Sequence, residues 1–128
     1  MRLLLDTHVF LWAASAPERL SDEARIAIED TASVVFVSSA VGWEIAIKYS
    51  LGKLTLPTDP QMYVPSRISA LGFQQLSIAQ EHALVAGSLP YHHRDPFDRV
   101  MIAQAILENL TLVTRDPIAS RYARVLVT

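Results

Sequence analysis

Arg2-Leu3-Leu4-Leu5-Asp6-Thr7 decides how the rest of this chain is read. Three consecutive leucines, with no polar residue between them, describe a short strand buried on both faces. Such strands belong to parallel sheets covered by helices on each side. The run ends on Asp6, and a carboxylate beside buried apolar surface is costly unless something compensates it. In open α/β sheets functional groups gather at the carboxyl ends of strands, which is where Asp6 falls. The plainer role for Asp6 is as cap of the turn that follows.

Outward from this strand, strands and helices alternate. His8 to Ala14 reads as a helical turn packed by Phe10, Leu11 and Trp12. Ser21 caps a helix reaching about Asp30, with Ala24, Ala27 and Ile28 inward. Val34-Val35-Phe36-Val37 is a β-branched and aromatic strand, and Ser38-Ser39 caps a helix from Ala40 to about Leu51 that Gly52 ends. Asp59-Pro60 has the grammar of a cap followed by proline at the first helical position, opening a helix to about Leu71. Gln74-Gln75-Leu76 is a weak strand, and Ser77-Ile78-Ala79-Gln80 has a capping-box pattern. Asp95-Pro96 opens a helix from Phe97 to Asn109, Leu110 to Val113 is a strand, Asp116-Pro117 starts a short helix, and Arg124 to Val127 is a last strand. The alternation predicts an α/β domain with a parallel sheet between helical layers.

Three further acids stand against apolar runs. Glu44 lies within Ala40-Val41-Gly42-Trp43-Glu44-Ile45-Ala46-Ile47; Lys48 four residues on offers an ordinary helix salt bridge, while its apolar neighbours leave little polar face. Asp98 heads the helical stripe Asp98, Ile102, Ala105, although an acid in a first turn also complements the helix dipole. The cap role accounts for Asp95 and leaves Asp98 as the ligand candidate. Asp116 follows the strand ending at Thr114, and Asp-Pro is also a good cap. Brought together, Asp6, Glu44, Asp98 and Asp116 would repel one another, and a hard divalent cation relieves that repulsion. Thr7 and Thr114 flank the strand ends and can hold water or a carboxylate, or merely shape turns. His92-His93-Arg94 reads as a solvated loop. Arg94 and Arg99 flank Asp98 as possible phosphate contacts, and Trp12 and Trp43 read as core or as a covered partner surface.

The bulk properties bound these readings. The 128 residues suit one domain, and 51% hydrophobic content allows a sizeable core. No apolar run reaches the ~18 residues of a membrane span. Asp6 interrupts the first apolar stretch, so no signal peptide is expected. The absence of cysteine excludes disulfides, thiolate metal sites and cysteine nucleophiles, and fits a cytoplasmic protein. With net charge −2 there is no global basic field, so nucleic-acid binding needs a local patch, for which nine arginines are available. There is no glycine-rich phosphate loop and no Ser-His-Asp arrangement.

The order of these elements resembles the PIN domain, and within it the VapC-type toxins of bacterial toxin–antitoxin systems. The matching pieces are Leu4-Leu5-Asp6-Thr7-His8, Ser38-Ser39-Ala40-Val41-Gly42-Trp43-Glu44-Ile45, Asp95-Pro96-Phe97-Asp98-Arg99-Val100-Met101-Ile102-Ala103-Gln104-Ala105 and Leu112-Val113-Thr114-Arg115-Asp116. The resemblance spans nearly the whole chain. It implies that residues 1–128 form one three-layer α/β/α domain with a central, mostly parallel sheet of about five strands. It also implies a metal-dependent ribonuclease whose catalytic and metal-binding acids are Asp6, Glu44, Asp98 and Asp116, supported by Thr7 and Thr114. It further implies a homodimer, a cognate antitoxin laid along a hydrophobic groove, and operator DNA met only through that antitoxin. Here the groove would involve Phe10, Leu11, Trp12, Trp43 and Ile47.

On that reading the acids hold one or two Mg²⁺ or Mn²⁺ ions, Arg99 and Arg115 contact phosphate, and RNA is hydrolysed to a 5′-phosphate and a 3′-hydroxyl. The rival from another class is a catalytically inactive binding module of the same fold, acting with an antitoxin on operator DNA. A receiver domain fits poorly, because it needs a late lysine and the last one is Lys53. A phosphatase using Asp-x-Asp fits less well still, because position 8 is histidine.

Overall fold

The computed structural model describes all residues, 1–128. Five strands, β1 (Arg2–Leu5), β2 (Val34–Ser38), β3 (Gln74–Leu76), β4 (Thr111–Thr114) and β5 (Val125–Val127), form a single sheet in the order β3-β2-β1-β4-β5. Every neighbouring pair is parallel. Six α-helices connect them: α1 (Thr7–Ser15), α2 (Asp22–Glu29), α3 (Ser39–Ser50), α4 (Pro60–Ala70), α5 (Gln80–Ser88) and α6 (Pro96–Leu107). Short 3₁₀ turns cover Pro17–Arg19 and Pro117–Arg121.

Leu3, Leu4 and Leu5 are all fully buried, as an unalternating strand at the centre of a covered sheet must be. They anchor a core that also takes Val9 and Phe10 from α1, Val41 and Ile45 from α3, and Met101 and Ile102 from α6.

The polar punctuation acts as the sequence suggests. Ser21 accepts from the Ala24 N–H, Asp59 from the Met62 N–H, and Asp95 from both the Phe97 and Asp98 N–H groups. Gly52 takes φ 70° after α3, the left-handed conformation that glycine adopts without Cβ strain. One cap differs. The helix after β3 begins at Gln80 with Ala79 as its cap, not Ser77, and the His82 ring accepts the Ala79 N–H through Nδ1 at 2.9 Å. The buried imidazole bonds back to the cap's own N–H, the part the capping-box pattern gave to the Gln80 side chain.

The strand order places the site. From β1 the chain steps outward to β2 and β3, then returns across the sheet to β4 on the other side of β1. Connections leaving the carboxyl ends of β1 and β4 therefore diverge, and the crevice at such a switch point is where α/β sheets bind ligands. Asp6 and Asp116 sit just beyond those two strand ends. No helix is long and apolar enough to cross a membrane.

Candidate active site

Asp6 is the acid most tightly built in. Its backbone N–H extends the sheet, donating to the Val113 carbonyl at 3.0 Å. Its Oδ1 accepts the Val9 N–H at 2.9 Å, capping α1. The cap role weighed in the sequence is met: it spends one oxygen and fixes the direction of the other. Burial pushes the Asp6 carboxyl above its ordinary pKa, while the Thr114 hydroxyl and the Val9 N–H work the other way.

Glu44 is held at both oxygens. The Thr7 hydroxyl donates to its Oε1 at 2.6 Å and the Lys48 ammonium lies 2.7 Å from its Oε2. Glu44 is buried although Lys48 pairs with it, because the pair sits where α3 crosses the start of α1. Thr114 turns the chain after β4 by accepting the Asp116 N–H at 3.0 Å.

Asp98 faces inward from the first turn of α6, above the fully buried Ile102. Burial, then the neighbouring charge of Asp95, push its carboxyl up to about 7; His93 opposes this, and Asp6 and Glu44 add to it. Asp6 and Glu44 thus both lie close enough to act on the Asp98 carboxyl. A small cavity of about 10 Å³, room for roughly one water, is lined by Asp6, His93, Asp98, Thr114 and Asp116. A larger cavity near the amino ends of β2 and β3 contains none of the four acids.

His93 is the residue that sequence reasoning missed. Its Nε2 lies 2.8 Å from Asp116 Oδ2 and 3.2 Å from Asp98 Oδ2, so one ring joins two of the acids. Its Nδ1 accepts the Asp95 N–H at 3.2 Å, which leaves the proton on Nε2 to donate to the carboxylates. The only local sign was a histidine two positions before a capping aspartate, a pattern with many ordinary explanations.

Arg99 requires a correction. Its guanidinium is buried and donates to four carbonyls, those of Pro90 and His93 through Nη1 and those of Ala86 and Leu89 through Nη2. It stacks on Tyr91 at 4.5 Å and holds the α5–α6 connection in place. Its four Nη hydrogens are thus all committed, and only the Nε–H of this buried side chain is left, so Arg99 is a brace for the loop and not the phosphate contact expected of it. Arg115 remains exposed, 5.7 Å from the Trp12 ring.

The expected partner groove also divides. Phe10 is fully buried core and is unavailable to a partner. Leu11 and Trp12 line an open groove beside α1. Trp43 and Ile47 are exposed on α3 outside that groove, with Trp43 edge-on to Phe97 at 5.0 Å.

The oxygen donors suit a hard divalent ion: three aspartates and a glutamate, with threonine hydroxyls behind them. No three carboxylate or imidazole groups converge as a closed ligand set in this conformation. Asp98 and Asp116 are 35% and 37% exposed at the side chain, which leaves both carboxylates room to turn.

Fold and site together define a parallel α/β domain with an acid cluster at the switch point of its sheet, the layout of an acid-centred hydrolase. The chain belongs to the PIN domain family, whose match covers residues 3–125. It is 32% identical over 119 residues to Ribonuclease VapC22 of Mycobacterium tuberculosis, covering 89% of this chain and 86% of that protein. Identity to Ribonuclease VapC16 of the same organism is 39% over 61 residues, 48% of this chain and 43% of that protein. The crystal structure of VapBC2 from Rickettsia felis, bound to a DNA fragment from their promoter, contains a similar fold. The TM-score is 0.72 at 18% identity, over 99% of this chain and 98% of that one.

Proposed function

We propose that this chain is a divalent-metal-dependent ribonuclease and the toxin of a toxin–antitoxin pair. The observation that carries the reading is that Asp6, Asp98 and Asp116 line one small cavity beyond the carboxyl ends of β1 and β4, with Glu44 close enough to raise the Asp98 carboxyl. Membership of the PIN domain family, and relatives named as VapC ribonucleases, support the same chemistry. A cognate antitoxin is the proposed protein partner, with operator DNA reached only through it, as the VapBC2 complex on promoter DNA suggests. A homodimer is the proposed assembly.

Asp6, Glu44 and Asp98 would hold the cation, with Asp116 orienting water or holding a second ion. Bound Mg²⁺ or Mn²⁺ supplies positive charge against the scissile phosphate and makes water a stronger acid. The chain's own groups do the rest. Thr7 and Lys48 fix the two Glu44 oxygens, and the Val9 N–H fixes Asp6. Without an ion, burial and the Asp95 charge hold the Asp98 carboxyl at about 7, and a cation there would lower it and so favour the ionised ligand. His93 ties Asp98 to Asp116 and spreads their negative charge.

The test is RNA cleavage by metal-stripped protein to which Mg²⁺ or Mn²⁺ is returned. Cleavage should depend on the ion and be lost in Asp98→Ala. The ion should also raise the melting temperature, because it binds the folded state preferentially. Asp6→Asn should lose most of that rise together with the cleavage; an Asp6→Asn protein that cuts RNA at the parent rate would remove Asp6 from the site.

A further inference from the structure

Beside the acid cluster runs a groove of about 470 Å³ between α1 and the α3–α4 connection. Its apolar surface comes from Leu11, Trp12, Leu54, Leu56, Pro57 and Tyr63, and its cationic side chains are Arg19, Lys48 and Lys53. No aspartate or glutamate lines it, in a chain whose acids outnumber its lysines and arginines 13 to 11. Lys48 is engaged with Glu44, but Arg19 and Lys53 take part in none of the ion pairs, and neither does Arg115 at the groove's edge. Trp12 joins two of these cations, with the Arg19 guanidinium 5.1 Å and the Arg115 guanidinium 5.7 Å from its ring. Cations held over an indole are oriented without being neutralised.

The groove leads into the site. Thr7 and Lys48 line it, and each contacts Glu44. Arg115 immediately precedes Asp116, and its charge is felt by Asp6. A substrate lying in the groove therefore reaches the acids without crossing another element.

We propose that this groove is the binding track for a single-stranded RNA segment flanking the scissile phosphate, with Arg19, Lys53 and Arg115 contacting backbone phosphates. The inference rests on the ribonuclease reading and deepens it. Charge complementarity chooses a polyanion, since Arg19, Lys53 and Arg115 form no ion pair and no acid lines the groove. The apolar floor chooses an unpaired strand, because splayed bases need aromatic and aliphatic surface that a duplex does not use. Trp12 is a positioning residue that spaces the two guanidiniums.

The experiment measures binding of a fluorescent single-stranded RNA oligonucleotide to the full chain in EDTA, across a salt series. Each phosphate contact on a single strand contributes about 0.7 to the slope of log K against log salt. Arg19→Ala, Lys53→Ala and Arg115→Ala should each lower that slope by about 0.7 and weaken binding several-fold at low salt. Melting temperatures should stay at the parent value. Arg124→Ala, at the opposite end of the sheet beside Arg2 and Asn109, should leave the slope unchanged. An unchanged slope in all three groove variants overturns the proposal and leaves the groove to a protein partner. An equal fall in Arg124→Ala also overturns it, by showing a diffuse charge effect. Because binding is read without metal, the two readings separate. Slope changes without cleavage after Mg²⁺ is restored sink the ribonuclease alone, and cleavage with unchanged slopes sinks the groove alone.

Discussion

Thr7 and Glu44, separated by 37 residues, share a buried hydrogen bond of 2.6 Å in which the threonine hydroxyl donates to the glutamate. This bond ties the first turn of α1 to the middle of α3 and turns a helix-surface acid toward the strand ends. Thr7→Val keeps the shape and removes the donor. A buried acceptor left short of a partner costs about 1–3 kcal/mol, so thermal denaturation should show a melting point lower by several degrees. Cleavage should fall with it, because Glu44 loses its orientation. Thr7→Ser should restore both, and a stable, fully active Thr7→Val would show the bond to be incidental.

Asp98 links stability to pH. Its carboxyl rises from an ordinary 3.8 to about 7. Below about pH 4 it is protonated in folded and unfolded chains alike. Between there and neutrality the folded chain keeps a proton that the unfolded chain has released, so stability falls as pH rises through this window and levels off above it. Melting curves without divalent ions should show that decline, and Asp98→Asn should flatten it. An equal decline in Asp98→Asn would assign it to other groups.

His93 pulls the Asp98 pKa down from beside it. His93→Ala should therefore raise it further, readable as a higher titration midpoint of the Asp98 carboxyl by NMR. A midpoint that stays in place would separate His93 from the acids.

Asp95 and Asp98 should respond in opposite ways. Asp95 spends Oδ1 on the Phe97 and Asp98 N–H groups, and losing such a cap costs about 1 kcal/mol. Asp95→Ala should unfold more easily yet retain most of its cleavage at saturating metal, whereas Asp98→Ala should fold and fail to cut. The reverse result would exchange the two assignments.

Much of the fold was legible because it is written locally. Leu3-Leu4-Leu5 and Val34 to Val37 announce strands by composition, and Asp59-Pro60, Asp95-Pro96 and Asp116-Pro117 announce caps by the donors that a helix start leaves free. The return bond of the capping box expected of Ser77 and Gln80 forms two residues later, where the His82 ring accepts the N–H of Ala79.

By itself the sequence determined the succession of parallel strands and covering helices, and marked the acids at the strand ends as out of place in apolar surroundings. Those are properties of neighbours along the chain. Tertiary structure decided what each polar group faces. It committed Arg99 to four carbonyls, sank Phe10 into the core and placed His93 between Asp98 and Asp116. It also left Arg19, Lys53 and Arg115 outside every ion pair. A long side chain's partner depends on which distant segments come alongside it, and only the assembled sheet and its packed helices fix that.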